Sequence, residues 1–424
     1  MAEVVELTWL PSAASGLPRR DRRGCEYEAY VADRLAGREI SLSGSTAADV
    51  VDAERAVERL NQETRSLADS EAVARLLLRA EAVASSKIEG LEVGGRRLLE
   101  AQVAAVLGED PSDVTATEVL NNVEAMRWAV DSLADVTHLT VDHLLGIHER
   151  LLAGTRLEQH AGKLREQQSW IGGSSHNPCS AVFVPPPWEH VPELLEDLCE
   201  FCNGEELPAI AQAALAHAQF ESIHPFVDGN GRTGRALIHV ILRRRGLAPV
   251  VVPPVSLVLA TWSQDYVNGL TATRYRGDAS SQAAIDGLNY WVGLFAAATT
   301  RSVADAENHE RRVAEIQIAW REALGRVRAS SAVDLLINAL PGAPVITVQS
   351  AAALIGRSEQ AVNEAIPRLL DAGVLTQTTI GRRNRAFEAP DLITAFNDLE
   401  RQLASPDRDT LSSPPQRRVP RRRR

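Results

Sequence analysis

His224, Asp228, Arg232 and Arg235 fall within twelve residues, in the run HPFVDGNGRTGR that spans 224 to 235. The run lies between two stretches with the apolar spacing of buried helices, so its density of polar groups calls for a chemical reason. Gly229-Asn230-Gly231 permits backbone angles that a Cβ disfavours and turns several N–H groups the same way, which makes a nest for an anion. Those donors sit at the start of the helix TGRALIHVIL, whose dipole also favours negative charge there. Arg232 and Arg235 are three apart, hence on one helical face, and present two planar forks suited to phosphate oxygens. Asp228 is a hard oxygen ligand able to hold Mg²⁺ against those phosphates. His224, four residues earlier, is suited to take a proton from an incoming hydroxyl. Together these parts describe phosphoryl-type transfer to a hydroxyl. A polar inter-helix loop with one capping glycine accounts for one of these residues and leaves the rest unexplained.

The elements that must hold this run read as helices. Apolar residues recur at three- and four-residue spacing from about Asp49, through AADVVDAERAVERLNQETRSL and SEAVARLLLRAEAVASSKIEG, with Ser70 as a start signal and Gly90 as a stop. RRLLEAQVAAVLG, TATEVLNNVEAMRWAVDSL and TVDHLLGIHERLLAG continue the pattern, and VPELLEDLCEFCN and LPAIAQAALAHAQFESIH lead into the motif. ATWSQDYVNGLTATRYRG follows as helix, and a further helical stretch ends near residue 328. Between them, SWIGGSSHNPCSAVFVPPP shows short alternating runs around an Asn-Pro turn, the signal of a small β-hairpin. Residues 1–45 read as irregular. Residues 331–398 read helix, helix, helix, hairpin, the order of a winged helix-turn-helix, and 404–424 as a disordered basic tail.

The 424 residues are 45% apolar, 24% charged and 4% aromatic, the composition of a globular chain with more than one domain. A net charge of -11 argues against a body built for nucleic acid, although the last eight residues, RRVPRRRR, are strongly basic. No apolar run is long enough to span a membrane and the N-terminus lacks a leader pattern, so a cytoplasmic protein without membrane contact is expected. Of the four cysteines, Cys199 and Cys202 form a CxxC with no second pair, which reads as two packed thiols one helical turn apart rather than a metal site.

HPFVDGNGRTGR resembles, at every defined position, the HxFx(D/E)GNGRxxR motif of Fic-domain proteins. The resemblance implies an all-α Fic-type helical bundle with a small β-hairpin flap, here followed by the winged helix-turn-helix. It divides the chain into an N-terminal helical region, 1–125, a catalytic core, 126–328, and the segments 331–398 and 404–424. It also implies transfer of AMP from ATP, with Mg²⁺, to a Ser, Thr or Tyr hydroxyl of a target protein, self-modification included. His224 would be the general base and Asp228 the metal ligand. Gly229, Asn230 and Gly231 would form the anion nest, and Arg232, Thr233, Gly234 and Arg235 complete the nucleotide-binding run. A kinase-like branch of the family carries Lys where this chain has Gly231, so nucleotidyl transfer is expected. Tyr266 is assigned to the nucleotide pocket, although the paired tyrosines usual there are reduced to one. Val182, Phe183 and Val184 would present the flap edge to the target. SSKIEG, 85–90, resembles the family's inhibitory motif on a helix expected over 70–90. Ser85, Glu89 and Gly90 match it, and Glu89 would take Arg235 away from the γ-phosphate.

Two other readings come with different predictions. The same residues serve removal of AMP from a modified protein, with Glu89 positioning water. Alternatively the winged helix dominates as a DNA-binding regulator, with Arg382, Arg383 and Arg385 on the wing and Arg357 and Arg368 beside the recognition helix. Pro367 within that helix weighs against it, since it removes a backbone donor. A homodimer is compatible with any of the three.

Overall fold

The computed structural model describes residues 1–403 apart from 12–16, 66–69, 95–96, 99–100, 103, 105–112 and 381–383. The tail 404–424 and the wing arginines Arg382 and Arg383 therefore lie outside the described residues, as does most of RRLLEAQVAAVLG. Two compact units interleave along the chain. The first comprises Met1–Glu58, Asn121–Val252 and Gln264–Thr300; the second comprises Arg59–Leu120, Pro253–Ser263 and Arg301–Arg424.

The first unit opens with β1 (Glu3–Trp9), a one-turn helix α1 (Arg19–Arg22) and β2 (Cys25–Val31). The strands pair antiparallel, with Glu3 opposite Val31 and Trp9 opposite Cys25. This corrects the expectation of an irregular N-terminus. EVVELTW and CEYEAYV alternate as a half-buried ribbon should, but each run is only seven residues and a charged segment separates them. Most of α2 (Gly44–Arg65) and α4 (Val114–Ser132) follows, with α3 (Ser70–Ile88) between them belonging to the second unit. Then come α5 (Val141–Leu152), α6 (Val191–Asn203), α7 (Ala209–Ile223), α8 (Asn230–Arg244) and, beyond α9 (Val255–Thr261), α10 (Ser263–Ala272) and the first part of α11 (Gln282–Leu324). α7 is buried along its whole length. Its alanines at 209, 211, 213, 214, 216 and 218 let neighbours approach closely, while Phe220, Phe226, Trp291 and Phe295 fill the space beside it. Trp291 donates its indole N–H to the Ala214 carbonyl at 2.7 Å, so its one polar atom is satisfied in the core.

In the second unit α3 runs from Ser70 and stops where Gly90 takes φ +81°. Its buried Glu81 accepts from the Ser256 N–H at 2.7 Å and from the Ser256 hydroxyl, at the start of α9. ATWSQDYVNGLTATRYRG, expected within the helical body, is divided at Trp262 between α9 and α10. The C-terminal part of the unit orders α12 (Ala332–Ala339), β3 (Val345–Ile346), α13 (Val348–Ile355), α14 (Glu359–Asp371), β4 (Thr376–Ile380), β5 (Asn384–Glu388) and α15 (Pro390–Leu403). Ser331, Thr347 and Ser358 cap α12, α13 and α14 with their hydroxyls. β3 adds a third strand to the hairpin in the order β3-β5-β4. α14 continues through Pro367. Arg357 donates to the Ser330 carbonyl, and Arg368 to those of Leu324 and Arg326, so both contact this unit's own backbone.

Among the described residues no helix is long and apolar enough to cross a membrane. Cys199 and Cys202 are buried thiols, as their spacing implied. Burial pushes Cys199 up to about 12 and Cys202 well above its ordinary value, which leaves both unreactive. Cys25 and Cys179 form a disulfide that the sequence reading did not anticipate.

Candidate active site

The loop between α7 and α8 carries the motif, and its shape is fixed before any ligand arrives. His224 closes α7 in the left-handed region, φ +49° and ψ 61°, with its N–H donated to the Phe220 carbonyl at 2.9 Å. A non-glycine residue pays conformational strain there, and such strain concentrates at functional positions. Phe226, fully buried, plugs the loop into the core against Phe220 and the stacked ring of His148. Asn230 then clamps it: its Oδ1 accepts the Phe226 N–H at 2.8 Å and its Nδ2 donates to the Phe226 carbonyl at 2.9 Å. The Asn230 side chain is thereby committed to holding the loop, and its backbone N–H faces the anion site with the others at the start of α8.

Gly229 precedes α8 with φ +78°, and a Cβ there would meet Leu151 Cδ2 at 2.8 Å. Thr233 makes the first helical bond of α8, to the Gly229 carbonyl at 3.0 Å. The N–H groups of Asn230, Gly231 and Arg232 therefore have no acceptor within the helix, as at any helix start. Gly234 serves packing: a Cβ would lie 2.9 Å from Phe220 Cδ1 and 3.0 Å from Glu221 Oε1 on α7.

Arg232 is 3% exposed, and its Nη2 donates to Asp228 Oδ2 at 3.2 Å. Its Nε and Nη1 are buried with no hydrogen-bond partner. Buried donors of a charged group left unmatched are costly, so this arrangement is poised for an incoming anion. The Asp228 side chain is half exposed, which leaves it able to accept a cation. Arg235 is buried and its Nη1 donates to the Tyr266 hydroxyl at 3.4 Å; that hydroxyl is 2.8 Å from His217 Nε2. Tyr266 is itself buried, with its ring beside those of His217 and Trp291. It thus supports Arg235 from the core. Burial, then the Arg235 charge, push His217 down to about 3, so it is neutral.

Two residues that sequence reasoning passed over hold the loop from outside. His148 of α5 accepts the Gly162 N–H at Nδ1, 3.2 Å, which leaves Nε2–H to donate to the Asp228 carbonyl at 3.0 Å. Burial pushes its pKa down to about 4, consistent with a neutral ring. Arg165, 2% exposed, donates Nε to the His224 carbonyl at 2.8 Å, Nη1 to Gln167 and Nη2 to the Pro186 carbonyl at 2.6 Å. It ties the end of α7 to the chain that leaves the flap.

The flap is smaller than the hairpin expected. Ile171 and Phe183 form a single antiparallel bridge, and residues 178–180 are a 3₁₀ turn capped by Asn177. Val182 is 84% exposed, Phe183 lies under the Arg274 guanidinium at 3.5 Å, and buried Val184 accepts the Tyr30 N–H at 2.9 Å. In the second unit, Ser85 is buried on α3, whereas Glu89 is exposed in the turn beyond it, with its N–H on the Ser86 carbonyl at 3.1 Å.

Mg²⁺ fits this donor set in one way. Among the described residues no three His, Cys, Asp or Glu side chains converge to hold a metal. Asp228 alone would bind it, with phosphate oxygens and water supplying the other ligands, a common mode for this ion.

Residues 138–242 match the Fic/DOC family, and residues 47–131 match the Fic/DOC family N-terminal region. Over 141 residues the chain is 36% identical to the protein adenylyltransferase fic-1 of Caenorhabditis briggsae, a stretch covering 32% of this chain and 26% of that protein. Over 161 residues it is 32% identical to the protein adenylyltransferase Fic of Drosophila melanogaster, covering 37% of this chain and 30% of that protein. The matched stretch is thus 26% to 30% of the length of these curated relatives. A Fic family protein from Desulfovibrio desulfuricans shares the fold, with a TM-score of 0.51 at 21% identity over 83% of this chain and 98% of that one.

Proposed function

We propose, on the premise that residues 138–242 of this chain are a Fic/DOC domain, that the protein transfers AMP from ATP to a hydroxyl side chain of a target protein. The observation that carries this reading is the pair of buried, unmatched donors on Arg232 beside the half-exposed Asp228 carboxylate. The relatives' adenylyltransferase activity supports the choice of AMP.

The N–H groups that open α8 and the free donors of Arg232 would hold the polyphosphate. Arriving phosphate oxygens would take over the charge of Arg232 and release Asp228 to hold Mg²⁺. The metal would neutralise phosphate charge as pyrophosphate departs. His224 would take the hydroxyl proton as that oxygen bonds to the α-phosphorus and the bond to the β-bridging oxygen breaks. Arg165 and His148 hold the backbone of His224 and Asp228 in place, so both groups are oriented before substrate binds.

The inhibitory role of Glu89 rests on the SSKIEG motif. The expected outcome with α-³²P-ATP is weak labelling by the native protein, stronger labelling by Glu89→Gly, and loss in His224→Ala by about 10²–10⁴-fold, the usual worth of a general base. Labelling from γ-³²P-ATP in its place would make the enzyme a kinase.

A further inference from the structure

The Cys25–Cys179 disulfide joins two surface elements across 154 residues of sequence, with Cα atoms 5.7 Å apart. One is β2 of the N-terminal hairpin; the other is the turn that leads into Val182-Phe183-Val184. Tyr30 bonds Val184 five residues after Cys25, and Val184 lies five residues after Cys179. β2 therefore runs alongside the flap segment in the same direction, tied to it at both ends. A groove of about 520 Å³ lies along this seam, lined by Val4, Glu26, Tyr30, Val182 and Arg274 among others. Phe183 exchanges its backbone bonds with Ile171 on one side, while Tyr30 takes the Val184 carbonyl on the other. The hairpin thus occupies part of the edge that an extended target segment would need.

The surroundings favour exchange at this bond. Both cysteines are partly exposed. Arg19, Arg20, Arg22 and Arg23 stand exposed just before Cys25, while the Asp21 carboxylate among them turns inward to accept the Ser174 hydroxyl. Exposed Glu26, next to Cys25, opposes a thiolate, but four arginines just before the cysteine outnumber it, and net positive charge favours exchange at this bond. Asp21–Ser174, the Asn177 amide on the Arg20 carbonyl and the Trp9–Trp170 ring contact are non-covalent and can re-form, so they would guide the two cysteines back together for reclosure once the flap has moved. The buried Cys199 and Cys202 cannot compete.

We infer that Cys25–Cys179 is a reversible thiol–disulfide site that latches the flap, and that a dithiol reductant opens it to admit the target segment. One thiolate of the reductant attacks a sulfur of the bond, which breaks to give a mixed disulfide and a cysteine thiolate. The second reductant thiol displaces the other cysteine, so two electrons and two protons end on Cys25 and Cys179 and the reductant leaves as its disulfide. The consequence for transfer rests on the proposed function; the latch itself does not.

The test uses the full chain, before and after dithiothreitol, and the variants Cys25→Ser and Cys179→Ser. Alkylation with mass spectrometry should find two reactive thiols in the unfolded, unreduced protein and four after reduction. Hydrogen exchange should become several-fold faster over residues 170–184 on reduction, and either variant should show the fast rate without reductant. In a Glu89→Gly background, α-³²P-ATP labelling of lysate proteins should rise several-fold on reduction while the KM for ATP stays constant. Four reactive thiols before reduction, unchanged exchange after it, or equal labelling by both forms overturns the latch. Faster exchange with no labelling by any form sustains the latch and defeats the transferase reading.

Discussion

Arg232 is unusual for a buried arginine because only one of its three nitrogens is matched, and that one by a half-exposed carboxylate. A structural arginine would resemble Arg165, whose guanidinium reaches carbonyls with each nitrogen. The contrast separates a residue that builds the loop from one whose free donors the proposed function assigns to the phosphates. Lysine at 232 would retain the charge and lose the fork. Arg232→Lys is therefore expected to lower kcat/KM by about 10²-fold or more, in the range found when a fixed donor to a developing anion is removed. Thermal stability should stay near that of the native chain, because Asp228 still has a cation beside it. A variant with native activity would show that the two free nitrogens do not meet the phosphates.

At the scale of elements, the site depends on how closely α7 and α8 cross. Gly234 faces Phe220, Glu221 and His217, and the contacts a Cβ would make are all near 3 Å. Gly234→Ala adds helix propensity of up to about 1 kcal/mol but forces the crossing apart, and overpacking typically costs about 1–3 kcal/mol. The expected balance is a loss of stability, read as a lower urea midpoint. AMP transfer should fall further than stability alone explains, since the start of α8 would move relative to His224. Gly234 stands inside the run expected to bind nucleotide, yet the part the structure gives it is to let two helices meet.

Across the whole molecule, buried ionisable groups set how the two units respond to acid. His148 and His217 in the first unit are held neutral by burial, at about 4 and about 3, and so is His309 in the second, at about 4. Unfolded histidine binds a proton near pH 6.5, so each contributes stability at pH 7 that is lost as pH falls below that value. At pH 5 the loss is about 2 kcal/mol per histidine, from about 1.4 kcal/mol per unit below 6.5. Glu310 in the second unit is raised by burial to about 7, so the folded state takes up a proton over the same interval and regains a similar amount. In the first unit Asp197, also raised by burial, acts in that sense from a lower starting value. Between pH 7 and pH 5 hydrogen-exchange protection should thus fall in the first unit before the second. His217→Gln should flatten that dependence. Equal loss in both units would refute the assignment.

The sequence by itself determined most of the helices and singled out the run between α7 and α8, because both are written in short-range spacing. Apolar residues every three or four positions mark α2 to α8 without reference to a partner. His224, Asp228 and Arg232 can be read as base, metal ligand and phosphate fork because one loop and one helix start bring them together. The parts decided by tertiary structure have partners far away in the chain. His148 reads as an ordinary histidine on an apolar helix face until its ring is seen between the Gly162 N–H and the Asp228 carbonyl, 80 residues on. Arg165 gives no sign in GKLREQQ that it holds the end of α7. Tyr266 gives no sign in QDYVNGL that its hydroxyl meets His217 and Arg235, 49 and 31 residues before it. Cys25 and Cys179 become a pair only when β2 is laid beside the flap. Residue type and local spacing carry chemical capability, while burial and long-range hydrogen bonding decide which capable groups are left free to use it.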